Sequence, residues 1–220
     1  MKSHSFSEEN YLKSIFHLEQ NAEGSVSTNE IAEKMDTKAS SVSDMLRKLA
    51  NKNLLNYVKY QGVTLSPKGR ETALNVIRKH RLWEVFLVEK LNFYWDEVHD
   101  LADELEHIQS DELTNRFDGF LVFPSFDPHG DPIPDMNLKL KKVDKELLFE
   151  LTTGQSGIFV GIRDSNNDFL QFLDKLEIKV GHNMEVISTE RFDESMVILC
   201  NEKEHFISKR VASNIYIKTK

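Results

Sequence analysis

The chain has 220 residues, enough for one large domain or for two to three small ones. Its 40% hydrophobic and 29% charged residues are typical of a folded globular protein and exclude intrinsic disorder, and no apolar run is long enough for a membrane helix. Its single cysteine excludes an intrachain disulfide framework, and the start MKSHSFSEEN lacks the apolar segment of a secretory signal, so we expect a cytoplasmic protein.

The net charge of −8 argues against a nucleic-acid partner, but the charges are unevenly distributed. Basic residues dominate positions 38–70, where Asp44 is the only acid, and acidic residues dominate positions 96–118, where Arg116 is the only base. Because local charge governs contact with phosphates, the basic segment remains compatible with DNA binding.

The first third of the chain predicts three helices and a hairpin. Capping boxes at Ser5-Phe6-Ser7-Glu8 and Ser27-Thr28-Asn29-Glu30 predict the starts of the first two helices. A third helix follows the turn at Asp36-Thr37, with apolar residues at helical spacing. LLNYVKY and VTL then predict two strands joined at Gln61-Gly62, and Ser66-Pro67 predicts the start of a long helix.

This order of elements is typical of a winged helix-turn-helix, whose third helix enters the major groove beside the hairpin. The alternative is a helical core domain with a basic face that only meets solvent. On the first interpretation, small, polar or basic side chains would contact bases and phosphates. These are Lys38, Ser40, Ser41, Ser43, Asp44, Arg47 and Lys48 on the helix and Lys59, Tyr60 and Gln61 on the wing.

The remainder predicts a helical segment followed by strands. We expect helices from Pro67, from about Trp95 to His107, and from near Ser110. The stretch FPSFDPHGDPIP contains four of the five prolines and predicts an ordered loop, in which His129 packs or forms a hydrogen bond rather than binding metal. GIFVGI, MEVIS, MVILC and NIYI predict a small β-barrel with one helix near FLQFLDKL.

The stretch VHDLADELEH concentrates metal-capable side chains on one helix face. With His99 set to zero, Asp103 falls near 40°, Glu106 near 340° and His107 near 80°, all within an arc of roughly 100°. His80 and Glu84 are i, i+4 neighbours on the preceding helix, so two helices could converge on one or two divalent ions. The alternative is a solvated or hydrogen-bonded face. No HExxH, GxSxG or Walker-type motif indicates an enzyme.

Together with HRLWEVFLVEKL and DPHGDPIP, this stretch closely resembles the diphtheria-toxin-repressor family of metal-dependent bacterial repressors. The resemblance covers nearly the whole chain. It implies an α+β multidomain protein with a winged helix-turn-helix over residues 1–73, a helical metal-binding and dimerisation domain over 74–146, and an SH3-like (FeoA-like) β-barrel over 147–220. It also implies a homodimer that binds palindromic operator DNA and represses genes of metal uptake and homeostasis.

The resemblance further implies the metal ligands. The primary site would comprise Asn10, Asp103, Glu106 and His107, and the ancillary site His80, Glu84 and His99, with Asp168 as the nearest addition from the barrel. Iron-type members carry Cys at position 103 and Met at position 10, whereas manganese-type members carry acids at both. This chain has Asp103 but only an amide at position 10. Smaller manganese-type members also carry an acid where Lys13 stands, which makes their two-ion arrangement doubtful here.

Because Asp103 supplies a hard oxygen in place of a thiolate, we expect Mn²⁺ as the corepressor, with Fe²⁺ second, at one or two ions per subunit. The ion would join Asn10 of the DNA-binding domain to the dimerisation helices and favour the state that binds DNA. Two alternatives remain: a winged-helix regulator with a purely structural His/Glu cluster, and a metallohydrolase. We expect no enzymatic activity, because six or more ligands leave little open coordination for a substrate.

Overall fold

The structure is a computed structural model that describes residues 4–21, 24–58 and 61–219. The chain forms two compact units. The first consists of Met1–His80, Asp103–Phe117 and Pro134–Lys139, and the second of Arg81–Ala102, Asp118–Ile133 and Leu140–Lys220. Within the described residues, none of the helices combines the length and apolar character that crossing a bilayer requires.

The first unit begins with three helices and a hairpin, in the predicted order. The helices are α1 (Phe6–Asn21), α2 (Thr28–Lys34) and α3 (Ala39–Asn51), and the hairpin pairs β1 (Leu55–Val58) with β2 (Gly62–Leu65). Both capping boxes form. The backbone N–H groups of Glu8 and Glu30 donate to the hydroxyls of Ser5 and Ser27, and the backbone N–H groups of the two serines donate to the glutamate carboxylates. The apolar faces meet in a core that includes Leu12, Ile31, Leu46 and Leu54, all fully buried.

The long helix α4 (Pro67–Leu91) starts where the sequence predicts, with the Ser66 hydroxyl capping the Gly69 N–H at 3.0 Å. The next helix is shorter than predicted. We expect a helix over 95–107, but α5 spans Val98–Leu105, so that Glu106 and His107 lie in the turn after it. The Glu97 carboxylate caps the Tyr94 N–H at 3.1 Å, which closes a separate turn before the helix begins.

After α6 (Asp111–Phe120) the predicted proline-rich segment forms an ordered loop in the second unit, where Phe126 and Pro132 form a β-bridge. A six-stranded antiparallel sheet follows, in the order β3-β8-β4-β5-β6-β7. Its strands are β3 (Glu146–Leu147), β4 (Ser156–Ile162), β5 (Asn183–Thr189), β6 (Met196–Cys200), β7 (Lys203–Ile207) and β8 (Ile215–Thr219).

Three short helical segments accompany the sheet: a 3₁₀ turn at Leu148–Glu150, α7 (Asn167–Lys175) and α8 (Lys209–Ala212). The four predicted strands and the helix near FLQFLDKL are all present. The sequence patterns miss β3 and β7. β3 has only two residues, and β7 is an edge strand whose exposed side chains mask the apolar alternation. Cys200 lies buried in the core of this sheet.

Candidate metal centre

Among the described residues, metal-capable side chains lie close together within each of the two units. The group in the first unit, here the helical cluster, draws on α1, α4 and the end of α5. Its members are Glu9, Asn10, Lys13, His80, Asp103, Glu106 and His107. His80 Nδ1 lies 2.7 Å from Glu106 Oε2 and 3.1 Å from Asp103 Oδ1. The Lys13 ammonium donates to the same two carboxylates, at 2.6 and 2.7 Å.

His107 is held from two sides within the helical cluster. Its Nδ1 lies 2.6 Å from Glu9 Oε2, and its ring stacks on Phe6 with the centroids 4.5 Å apart. The Gln109 amide donates to the other Glu9 oxygen at 2.6 Å. With Nδ1 engaged, His107 Nε2 remains on the side of Glu106, 3.9 Å from Oε1. A histidine oriented through one ring nitrogen in this way is typical of a metal ligand.

The charges of the helical cluster are strongly coupled to one another. Burial acts to raise the pKa of Asp103, but the hydrogen bond with His80 and the charge of Lys13 lower it far below its ordinary value. Burial also lowers the pKa of the neighbouring Lys79, against the opposing attraction of Glu9 and Glu106. Neighbouring positive charge therefore holds the Asp103 carboxylate ionised.

The second group, here the loop cluster, consists of Glu84 on α4 and Asp127 and His129 in the proline-rich loop. All three side chains are buried, and one ligand atom of each lies within 4.8 Å of the other two. Glu84 Oε1 is 3.6 Å from His129 Nδ1 and 3.4 Å from His99 Nδ1.

The loop itself is tied down around Asp127 and His129. Asp127 Oδ1 accepts from the backbone N–H groups of His129 and Asp131, both at 2.9 Å, and Oδ2 faces Arg81 Nε at 3.4 Å. His129 Nε2 lies 2.9 Å from the Trp95 carbonyl, with the two rings stacked. Because the carbonyl can only accept, Nε2 carries a proton, and Nδ1 is the ring nitrogen that faces Glu84 and would bind a metal ion after losing its own proton.

The loop cluster fits a divalent cation. Burial, followed by the charges of Glu84 and Asp131, raises the pKa of Asp127. Burial alone would lower the pKa of His129, but the hydrogen bond and charge of Glu84 and the charge of Asp127 raise it to about 9. Two buried carboxylates thus recruit a proton as counter-charge, and a metal ion bound by Glu84, Asp127 and His129 Nδ1 would replace it.

Comparison with known proteins finds three family models that match successive parts of the chain. Residues 5–63 match the iron-dependent repressor N-terminal DNA-binding domain, residues 66–135 its metal-binding and dimerisation domain, and residues 147–219 the FeoA domain. A manganese-dependent transcriptional repressor solved with manganese is 32% identical, with a TM-score of 0.87 over 97% of this chain and 100% of that one. The chain belongs to the iron-dependent repressor family.

Other relatives of this family member include the manganese regulator SloR, whose structure is 33% identical with a TM-score of 0.76 over 97% of this chain and 98% of that one. The iron-dependent repressor IdeR of Mycobacterium tuberculosis is 34% identical over 128 residues, or 58% of this chain. The diphtheria toxin repressor of Corynebacterium jeikeium is 33% identical over 129 residues. The matches span about half the length of these curated relatives, 55% and 53%. The predicted fold class and family are confirmed.

The structure brings most of the predicted ligands of this repressor-family chain into one cluster or the other. Asn10, His80, Asp103, Glu106 and His107 lie in the helical cluster. Glu84 lies in the loop cluster and His99 adjoins it, half exposed. Asp168 is an exposed residue in the first turn of α7 and belongs to neither cluster as described. Its assignment as a ligand stays a prediction.

The sequence patterns do not single out Asp127, and they assign His129 only to packing or hydrogen bonding. His129 does stack and form a hydrogen bond, with Trp95, and it also belongs to the loop cluster. The signal that could have found both residues is the spacing Asp-x-His inside DPHGDPIP. An ordered loop can direct residues i and i+2 to the same side, and Gly130 and the prolines fix the loop.

The predicted DNA-contact residues of α3 are on its outer face. Lys38 precedes the helix as its N-cap, and the remaining predicted residues of the helix are exposed or half-exposed. Arg47 pairs with Asp44 at 3.2 Å, and Lys48 lies 3.1 Å from Glu8. Gln61 leads into β2, while the predicted contacts Lys59 and Tyr60 fall outside the described residues. All ten stay predictions as DNA contacts.

Proposed function

We propose that this chain is a transcriptional repressor whose corepressor is a divalent metal ion, Mn²⁺ in first place and Fe²⁺ in second. The repressor acts as a homodimer on palindromic operator DNA and controls genes of metal uptake and homeostasis. Its recognition helices, one α3 from each subunit, must lie about 34 Å apart to enter successive major grooves. The manganese-dependent and iron-dependent repressors to which the chain is similar support this proposal.

The observation that carries the proposal is the loop cluster. Three ionisable side chains, Glu84, Asp127 and His129, are buried at ligand distance from one another. A buried pair of carboxylates is costly without a cation, and the Trp95 carbonyl fixes the histidine tautomer that ligates through Nδ1.

The choice of metal follows from the donor atoms. The ligands in both clusters are carboxylate and amide oxygens and imidazole nitrogens, without a thiolate. Such hard and intermediate donors accept Mn²⁺ and Fe²⁺ readily, whereas a cysteine would favour thiophilic ions. Zn²⁺ binds most nitrogen and oxygen sites more tightly, so selection against it requires coordination geometry and availability in the cell.

The helical cluster supplies the link to DNA binding. Glu9 and Asn10 belong to α1, which packs against α2 and β2, whereas Glu106 and His107 follow α5. A bound ion supplies positive charge and coordination sites at this junction. When ligands from α1 and from the turn after α5 bind the same ion, these two elements are held in one relative orientation. This favours the conformation in which α3 is placed to bind DNA.

The experiment measures binding of the full-length protein to a DNA fragment that it selects from a random pool in the presence of Mn²⁺. Fluorescence anisotropy compares chelated protein with protein resupplied with Mn²⁺, Fe²⁺ under anaerobic conditions, or Zn²⁺. We expect Mn²⁺ to restore tight binding in the parent. Glu84→Gln should reduce that response, whereas Glu112→Gln, in an exposed ion pair with Arg116, should leave it unchanged.

A second candidate function is a winged-helix regulator that uses no metal, with clusters that are purely structural. One observation favours it, namely that Lys13 already supplies a positive charge to the carboxylates of the helical cluster. DNA affinity that is identical in chelator and in Mn²⁺ would select this candidate and exclude metal-dependent repression.

A further inference from the structure

Lys13 lies where a metal ion would be expected. The residue is on α1, and its ammonium nitrogen is 2.6 Å from Glu106 Oε2, 2.7 Å from Asp103 Oδ1 and 3.2 Å from His80 Nδ1. The three contacted residues stand 67, 90 and 93 positions away in the chain and come from α4, α5 and the turn after it. An ammonium thus occupies the point on which two carboxylates and an imidazole converge.

Glu106 divides its two oxygens between opposite sides of the cluster. Oε2 meets Lys13 and His80, whereas the buried Oε1 has no hydrogen-bond partner among the described residues. The side-chain amide oxygen of Asn10 is also buried and also has no hydrogen-bond partner in the part of the chain that the structure describes. Asn10 and Lys13 are three residues apart on α1 and therefore lie on the same face of the helix. His107 Nε2 lies 3.9 Å from Glu106 Oε1, too far for a hydrogen bond but close enough for both atoms to bind one cation.

We propose that Lys13 is a built-in cation that holds one of two cation positions in the helical cluster, so that the cluster accepts one divalent ion rather than two. The single ion would bind Glu106 Oε1, His107 Nε2 and Asn10 Oδ1. Lys13 therefore determines the metal stoichiometry of this cluster. The inference rests on the proposed metal-dependent function.

The charge count supports a single ion. The cluster contains three carboxylates, from Glu9, Asp103 and Glu106, and the ammonium of Lys13, and the neighbouring Lys79 adds a second positive charge close to Glu9 and Glu106. One divalent ion is enough to offset the remaining negative charge of the carboxylates, and a second would leave an excess of positive charge. A second divalent ion at the position of the ammonium would meet direct repulsion from Lys13 and would lose the Glu106 and Asp103 oxygens that the lysine holds.

The test counts manganese ions bound per full-length chain, by equilibrium dialysis with elemental analysis and by titration calorimetry. Lys13→Glu and Lys13→Met should each bind one more Mn²⁺ than the parent, and Lys13→Arg should match the parent. The control is Lys79→Met. Lys79 lies close to Glu9 and Glu106, but its ammonium donates to the Ile108 carbonyl at 3.4 Å. The stoichiometry of Lys79→Met should equal that of the parent.

Electron paramagnetic resonance of the manganese-saturated parent provides a measurement that does not depend on any variant folding. Ions held in one cluster about 4 Å apart would be spin-coupled. We expect an uncoupled Mn²⁺ signal, and a coupled pair in the parent would overturn the inference. So would folded Lys13→Glu and Lys13→Met proteins that bind no additional ion. A parent that binds no Mn²⁺ would instead overturn the proposed function.

Discussion

Replacing Gly130 by alanine tests how the sheet supports the loop cluster. Gly130 has a φ of +86°, and an added Cβ would lie 2.0 Å from the Val160 carbonyl oxygen and 2.5 Å from the Gly161 Cα. Both atoms belong to the backbone of β4, so no side chain can rotate away. The loop would have to retreat by about 1 Å or more, which breaks the hydrogen bond from the Ile162 N–H to the His129 carbonyl at 3.1 Å.

A matched control exists in the same unit. Gly154 has a φ of +84°, and its added Cβ would meet nothing within 4 Å. Gly154→Ala therefore carries only the backbone strain, about 1 to 2 kcal/mol. Gly130→Ala carries the same strain plus an overlap of about 1 to 3 kcal/mol. The steric overlap should lower the melting temperature of Gly130→Ala by roughly 2 to 10 °C more than the strain lowers that of Gly154→Ala.

The same displacement should reach the proposed metal site of the loop cluster. His129 adjoins Gly130, and its Nδ1 is aimed at Glu84 by the contact of Nε2 with Trp95. Disturbing such an orienting contact typically costs about 10- to 100-fold in metal affinity. Calorimetric titration with Mn²⁺ should show that loss in Gly130→Ala and parent-like binding in Gly154→Ala. Equal melting temperatures and equal affinities in the two variants would refute the reasoning.

Three further predictions concern the first unit. Burial acts to raise the pKa of Glu8, but hydrogen bonds, chiefly from Lys52, lower it from 4.5 to about 2. The ionised carboxylate therefore stabilises the fold above pH 4.5, and this contribution is lost as the pH falls toward 2. Urea unfolding should show Glu8→Gln less stable by about 1 to 2 kcal/mol at pH 6, with the deficit shrinking at pH 3; a deficit independent of pH would contradict this. Leu46→Ala, at a fully buried position on α3, should cost about 2 to 5 kcal/mol in the same assay, and a cost below 1 kcal/mol would exclude Leu46 from the core. Arg47→Ala should weaken DNA binding about tenfold and reduce its salt dependence by about one unit of log-log slope if the arginine contacts phosphate, while unchanged binding would remove it from the interface.

The sequence alone determined the features that are set by interactions between residues at most four positions apart, such as helix starts and the order of helices and strands. The capping boxes at Ser5 and Ser27 locate helix starts because each box closes its hydrogen bonds inside one turn. The order of helices, hairpin and strands follows from the apolar periodicity. The helix around VHDLADELEH and its metal-capable face could be predicted for the same reason, although its ends could not. Trp95 lies outside α5, and its indole N–H donates to Asp174 79 residues away.

Only the tertiary structure decided which of these groups meet. A lysine is not a metal ligand at neutral pH, and no local pattern shows that Lys13 contacts Asp103 and Glu106, 90 and 93 residues later. Asp127 and His129 similarly reach Glu84 from a loop more than forty positions further along the chain. Such encounters depend on how separate elements pack, and burial then makes the charges interact strongly by removing water between them. Local patterns therefore specified the elements and candidate ligands, and long-range packing specified the sites.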